Sequence, residues 1–303
     1  METNILSLFD GNSGGQQSLN RVGFKYSKYF ASEIHQPSID VTQSNYPDTI
    51  QVGDVRTLSA EMFPKIYLLM AGSPCQGFSM SGKRKGMVTE EHIKVDTLEK
   101  YIQLKADGFK FHGQSYLFWE FVRMIKECKP QYFFLENVHM KPEWKYIISS
   151  ALGVEPIIIN SSKVSGQNRL RYYWTNIPVS EPIQDLGITL DQIIPGAISG
   201  AGKRGVPCNT DPKYKYKGKL TVRKDLLANC LTTVSGLTDL YLRDDGEIVQ
   251  ITPEEAELLQ TMTKGYTNVK GITEQQRRKM IGNGWTIDVI CYFFKNLKTT
   301  EHV

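Results

Sequence analysis

The sequence is poor in cysteine, and the cysteines form no pattern. Its 303 residues hold Cys75, Cys128, Cys208, Cys230 and Cys291, widely spaced and none in a C-x-x-C pair. An odd, scattered set excludes a disulfide scaffold. Neither these cysteines nor His35, His92, His112, His139 and His302 show metal-ligand spacing, so no metal is expected. No apolar run approaches the ~18 residues that a membrane span requires. The start, METNILSLFDG, has no basic leader, and its apolar run is too short for an export signal. The expectation is a soluble cytoplasmic protein with no membrane partner. There is no internal repeat and no obvious dimer surface, so a monomer is expected.

What is present is globular. Hydrophobic residues make up 40% and charged residues 22%, enough for a real core. The length fits two domains or one large one. Net charge is only +4, but its distribution is uneven. Residues 196–224 carry eight Lys/Arg against one Asp, a local +7 that leaves the remainder of the chain slightly acidic. A polyanion met by one defined segment is expected.

The first half alternates apolar strands with helical stretches. Strands are predicted at Ile5–Leu8, Tyr29–Glu33, Ile66–Ala71 and Tyr132–Leu135, and a glycine-rich turn at Asp10–Gly15. Helices are predicted at Gln16–Arg21, Ser38–Tyr46 and Leu117–Cys128. The last has Leu117, Phe118, Phe121, Val122 and Ile125 at helical spacing. This alternation implies βαβ units and a mostly parallel, doubly wound α/β sheet. After about Asn176 the periodicity fades, and the segment holding KYKYKGK reads as loop with short strands. Thr252-Pro253-Glu254-Glu255 and Thr273-Glu274-Gln275-Gln276 are capping boxes, and Thr286–Leu297 reads as an apolar helix.

Several features along the predicted sheet edge carry chemistry. The turn in LSLFDGNSGG lets backbone approach a ligand, Glu33 ends a strand where an acid often meets a ribose, and Asp54 in GDVR can accept from an adenine amino group. Each alone also fits an ordinary turn or a solvated acid. Gly72-Ser73-Pro74-Cys75-Gln76-Gly77-Phe78-Ser79 follows a strand directly, which puts Cys75 at the ligand-binding edge. Glu136-Asn137-Val138 ends another strand, and Gln167-Asn168-Arg169-Leu170-Arg171 follows. A potential nucleophile, an acid and two arginines therefore share one edge.

In this order the motifs resemble those of the DNA (cytosine-5) methyltransferases, compact bacterial or bacteriophage type, over nearly the whole chain. FDGNSGG is similar to the first family motif, Glu33 and Asp54 to the second and third, and GSPCQGFS to the fourth. GQSYLFWE resembles the fifth, ENV the sixth, QNRLRYYW the eighth, a faint Cys230-Leu231-Thr232-Thr233 the ninth, and Gly282-Asn283-Gly284-Trp285 the tenth. The resemblance implies a doubly wound S-adenosylmethionine-dependent fold with a small target-recognition region. It divides the chain into a catalytic and cofactor domain at 1–178 with an inserted helix near 82–112, a basic recognition region at 179–250, and C-terminal helices at 251–303 that complete the catalytic domain.

The implied reaction is methyl transfer from S-adenosylmethionine to C5 of cytosine in double-stranded DNA, leaving S-adenosylhomocysteine. A base inside a duplex must be flipped out to be reached. Cys75 as thiolate would add to C6. Glu136 would hold the base by N3 and its amine from a water-poor pocket that raises its pKa. Asn137 would fix the loop, and Arg171 with Arg169 would bind O2 or an adjacent phosphate. The implied cofactor residues are Phe9, Asp10, Gly11, Gly14, Glu33, Ile34, Asp54, Val55, Pro74, Leu117 and Asn283. Phe9 would lie near the adenine, Glu33 on the ribose and Asp54 on the amino group. Trp285 departs from the smaller residue usual at its place.

The loop from Gln76 to Lys85 is expected to close on DNA through Gln76, Ser79, Lys83, Arg84 and Lys85. Lys203, Arg204, Lys213, Lys215 and Arg223 are the other DNA-contact candidates, with Arg204, Arg223 and Asn209 as readers of base edges. Some fifty residues for recognition predict a short site of two to four base pairs. Val95–Ala106 reads as an amphipathic inserted helix, open between peripheral cover and a grip on DNA. The rivals are an RNA methyltransferase of the same build and an inactive DNA-binding homologue. A nicotinamide dehydrogenase is disfavoured because the turn departs from GxGxxG. A cognate restriction endonuclease is a further possible partner.

Overall fold

The computed structural model describes residues 2–78, 86–203, 220–233 and 239–298. The chain divides into two compact units: residues 1–159, 170–181 and 291–303 form the first, residues 160–169 and 182–290 the second. This grouping is one of compactness, whereas the threefold division expected above is one of function.

The first unit is built on a sheet. Its elements are β1 (Asn4–Leu8), α1 (Gly14–Arg21), β2 (Tyr29–Ser32), α2 (Gln36–Asn45), β3 (Ile50–Gln51), β4 (Ile66–Gly72), α3 (Leu98–Ala106), α4 (Phe118–Cys128), β5 (Tyr132–Val138), α5 (Pro142–Leu152), β6 (Ile157–Asn160) and β7 (Leu170–Thr175). The strand order is β3-β2-β1-β4-β5-β7-β6. The β1–β2, β2–β3, β1–β4 and β4–β5 pairs are parallel, and β7 runs antiparallel to β5. The mostly parallel doubly wound sheet read from the sequence is therefore present. Both faces of β1 and β4 are buried, as parallel strands covered on two sides require.

Chain direction explains the placement of the site. From β1 the chain winds outward through β2 and β3, then crosses back to β4 and winds the other way to β5. The carboxyl ends of β1 and β4 flank this switch point, where open sheets bind ligands. Helix α1 packs so closely on β4 that a Cβ on Gly15 would lie 2.4 Å from Met70 Cε. Gly15 therefore admits no side chain unless Met70 moves. The core joins Leu6, Leu8, Leu69 and Leu135 of the strands to Phe118, Phe121 and Val122 of α4 and to Leu98, Tyr101 and Leu104 of α3.

The second unit holds α6 (Leu190–Ile193), β8 (Ala197–Lys203), β9 (Leu220–Val222), β10 (Leu240–Arg243), β11 (Ile248–Gln250), α7 (Pro253–Leu259) and α8 (Glu274–Asn283). α9 (Ile287–Phe294) follows, and its residues from Cys291 belong to the first unit, where Phe293 and Phe294 pack edge-on against Phe134. The four strands form an antiparallel sheet in the order β11-β10-β8-β9. Both predicted capping boxes are formed, Thr252 with Glu255 and Thr273 with Gln276. Differences from the sequence reading are mostly at ends. α1 begins at Gly14 because Ser13 enters it in a left-handed conformation, and α2 begins at Gln36 with proline in its first turn. Among the described residues no helix is long and apolar enough to cross a membrane.

Candidate active site

The carboxyl end of β4 leads directly into Ser73-Pro74-Cys75. Gly72 is the register partner of Glu136 on β5, so the cysteine loop starts beside that acid. Asn137 locks the loop: its side-chain amide donates to Ser73 O at 3.1 Å and Ser73 Oγ at 3.0 Å. Cys75 is half-buried, and its carbonyl accepts from Phe78 N at 2.9 Å. The far end of the segment is fixed as well. Gly77 N donates to Ser115 Oγ at 2.8 Å, and Gly86 N donates to Gly77 O at 2.9 Å. Trp144 packs against both Phe78 and Gly86.

Glu136 is buried, and Arg171 is its partner, with Nε 3.0 Å from Oε1. Antiparallel pairing brings this about, because Arg171 sits opposite Val138 and Tyr173 opposite Glu136. Arg169, expected beside Arg171 in the reaction, makes its contacts within the second unit. It is 3% exposed, Nη1 approaches Cys230 Sγ and Leu231 O, and Nη2 donates to Gly282 O at 3.1 Å and Gly284 O at 2.8 Å. Gln167 joins the same cluster, accepting from Leu231 N and donating to Leu259 O. The eighth motif thus presents one arginine to the acid and uses the other to hold backbone in the second unit.

The glycine turn after β1 meets the acid that follows β2. Phe9, Gly11 and Ser13 all adopt positive φ. Glu33 follows β2 immediately, and three backbone amides fix its carboxylate: Gly11 N on Oε2, Ile34 N and His35 N on Oε1, each at 2.8 Å. Asp10 is buried, and its Oδ1 accepts from Tyr29 Oη at 2.7 Å. Burial pushes its carboxyl up to about 6, outweighing the stabilising hydroxyls of Ser7, Tyr29 and Ser13. Its buried Oδ2 makes no hydrogen bond of good geometry among the described residues.

Asp54 caps a short 3-10 turn and accepts from Arg56 N at 2.9 Å. The Arg56 guanidinium clamps both its oxygens and holds its carboxyl below the usual carboxylate range. Val55 is buried, Pro74 and Leu117 are half-buried, and Ile34, beside Glu33, is 65% exposed. Asn283 is exposed at the end of α8 in the second unit. Sequence reasoning missed Tyr29, Arg56, Ser115 and Trp144. Arg56, inside the quoted GDVR, and Ser115, inside the quoted GQSYLFWE, had a local signal.

Of the DNA-contact candidates, Gln76 is exposed. Arg223 is paired with Asp225 beside Asn229, which occupies the guanidinium meant to read bases. Ser79, Lys83, Arg84, Lys85, Arg204, Asn209, Lys213 and Lys215 lie outside the described residues, and Lys203 closes β8.

A family model for the C-5 cytosine-specific DNA methylase matches residues 3–143, a span that contains the glycine turn, Glu33, Asp54, Cys75 and Glu136. Residues 3–143 thus carry a C-5 cytosine-specific DNA methylase domain. The type II methyltransferase M.NgoBV of Neisseria gonorrhoeae is 25% identical over 96% of this chain and 68% of its own length. M.NlaIV of Neisseria lactamica is 26% identical over the same shares. Among solved structures, the Dnmt2 methyltransferase of S. pombe superposes with a TM-score of 0.67 at 17% identity, covering 97% of this chain and 98% of that one. That likeness is one of fold, the fold of S-adenosylmethionine-dependent methyltransferases. The domain match and the relatives support a methyltransferase, and the matched span includes the strands that flank the switch point of the sheet.

Proposed function

We propose that this methyltransferase is a DNA (cytosine-5-)-methyltransferase acting on double-stranded DNA, with S-adenosylmethionine as donor. The observation that carries the reading is the joining of Cys75, Glu136 and Arg171 at one sheet edge, with the nucleophile loop tied by Asn137 and the acid faced by its arginine. The pocket fits the cofactor. Glu33 is pre-set by three amides to receive a diol, Ile34 offers bare apolar surface beside it, and Asp10 keeps a buried oxygen that makes no hydrogen bond of good geometry among the described residues. Phe9, Gly11, Gly14, Asp54, Val55, Pro74 and Leu117 complete the proposed set, with Asn283 contributed from the tenth motif.

The residues act as follows. The Cys75 thiolate forms a bond to C6 of the flipped cytosine, which makes C5 nucleophilic. Glu136 holds N3 and the amine, sharing a proton as charge builds on the ring. Arg171 orients Glu136 and binds O2. The cofactor, when bound, supplies the methyl group from its sulfonium. After transfer the C5 proton leaves to a base, the electron pair re-forms the C5–C6 double bond, and Cys75 is released. Arg169 acts as a positioning residue.

Duplex DNA is the proposed partner, met by the basic segment 196–224, and the recognition site is proposed to be two to four base pairs. Likeness to type II methyltransferases supports a modification role beside a cognate endonuclease. The test is incubation with labelled S-adenosylmethionine and either unmethylated genomic DNA or tRNA. Label in DNA, mapped by bisulfite sequencing to cytosines in one short motif, is expected. Label in tRNA alone would replace this reading by the RNA branch.

A further inference from the structure

Helix α3 has no place in the reaction as described. It lies in the insertion after the cysteine loop, capped by Thr97, and the sequence left it open between cover and DNA grip. Two of its side chains, buried Tyr101 and exposed Lys105, converge on one buried carboxylate. Tyr101 Oη donates to Glu120 Oε1 at 2.5 Å, and Lys105 Nζ donates to the same oxygen at 2.8 Å. Glu120, on α4, is fully buried, and its Oε2 accepts from Arg123 Nε at 2.7 Å. Arg123 then reaches out of the helix: Nη2 donates to the Val55 carbonyl at 3.2 Å, and Nη1 pairs with Glu127 at 2.8 Å.

The chain of contacts therefore ends on the turn that carries Asp54. A second observation points the same way. The Lys105 ammonium contributes a favourable electrostatic interaction to the Asp54 carboxylate, after the larger contribution of Arg56. The ring of Tyr101 also packs on Phe111 and Tyr116, 5.2 and 6.0 Å away, and Tyr116 lies next to Leu117 in the fifth motif. The helix is thus linked to the Asp54 turn through Glu120 and Arg123, and to Tyr116, beside Leu117, through the ring of Tyr101.

We infer that α3 is a buttress for adenine recognition, with Tyr101 and Lys105 acting through Glu120 and Arg123 to hold the Asp54–Val55 turn in register with the cofactor's adenine. Tyr101, Lys105 and Glu120 are positioning residues. None touches the reacting atoms. The inference rests on the reading of Asp54 as acceptor for the adenine amino group.

Charge explains why the device is built this way. A buried carboxylate is costly unless fully paired, and three donors satisfy Glu120. A buried network of this kind is rigid once complete and fails when one member is removed. The turn it holds is a short 3-10 segment, Val55–Thr57, whose Val55 is buried in the core and whose Val55 carbonyl accepts from Arg123.

The test is calorimetry of two ligands on the full chain: S-adenosylhomocysteine, and its inosyl analogue, which presents an oxygen where adenine has its amino group. The unmodified protein is expected to prefer the adenosyl form. Lys105→Met and Tyr101→Phe keep most of the side-chain volume, so both should fold. Each is expected to weaken adenosyl binding roughly tenfold, the loss of one charge-assisted hydrogen bond, and inosyl binding much less. The preference should therefore shrink, and Lys105→Arg should restore it. The KM for S-adenosylmethionine should rise while kcat at saturation stays within about twofold. Folded variants with unchanged affinity, or with both ligands weakened in parallel, would overturn the inference and leave α3 as cover. If the unmodified protein bound neither ligand, or both equally, the fault would lie in the reading of the pocket or of Asp54, and the inference would fall with it.

Discussion

Glu136 and Arg171 meet across β5 and β7, Nε to Oε1 at 3.0 Å, with both side chains nearly out of water. Removing one partner of a buried ion pair leaves the other unpaired, at a cost of about 3–5 kcal/mol. Arg171→Ala should therefore lower stability by about that much and abolish methyl transfer. Glu136→Gln combined with Arg171→Met should recover much of the stability and none of the activity. Denaturant unfolding and transfer assays on the three proteins separate the two roles. A double variant as unstable as Arg171→Ala alone would show that the arginine has other duties.

Asp10 links stability to pH. Burial raises its carboxyl to about 6 in the folded protein, against about 3.9 in an unfolded chain. The native state holds the proton more tightly, so this group's stabilisation is full below about pH 4 and is lost as pH rises to about 6. Asp10→Asn keeps an acceptor for Tyr29 and removes the charge. It should match the parent near pH 4 and exceed it by about 2–3 kcal/mol above pH 6. Melting curves from pH 4 to 8 check this. A constant difference across that range would show that Asp10 does not titrate there.

The neck of the cysteine loop admits no side chain at Gly86. Its φ is +68°, and a Cβ there would lie 1.8 Å from the ring of Trp144. Gly86→Ala should displace Trp144 and lower both the melting temperature and the rate of Cys75 addition. Gly108, at φ +80° with nothing within 4 Å, is the control. Alanine there should cost only about 1–2 kcal/mol of backbone strain and leave the rate alone.

Arg169 serves backbone carbonyls of Leu231, Gly282 and Gly284. Arg169→Lys offers one point charge in place of a planar fork and cannot span all three. It should destabilise the second unit by about 3 kcal/mol, with hydrogen exchange at 230–233 and 282–284 rising before that of β4 and β5. Uniform exchange would instead mark Arg169 as a contributor to global stability only.

The legible parts of the molecule were those whose signal is local. The strands, the glycine turn, both capping boxes and the cysteine loop each lie in a few consecutive residues whose conformation and chemistry are tied together. The pairing of Tyr29 with Asp10, or of Tyr101 with Glu120, joins residues 19 positions apart on different elements, and no periodicity announces it. Arg169 and Arg171 show the limit most clearly. Two residues apart, they would share a face in a strand, but β7 begins at Leu170, so Arg169 stands outside the alternation and takes another partner. Lys105 lies within the amphipathic stretch Val95–Ala106, which carries no sign of its partner. The carboxylate that gives it a purpose lies on the next helix.

The central claim is that Cys75 attacks cytosine, and trapping tests it most directly. The protein is mixed with S-adenosylmethionine and duplex DNA carrying 5-fluorocytosine at random cytosines. Fluorine cannot leave as the C5 proton does, so the adduct should survive denaturation. The expected result is a cofactor-dependent covalent complex that Cys75→Ala abolishes. An adduct that persists in Cys75→Ala, or a Cys75→Ala protein that still methylates DNA, would contradict it.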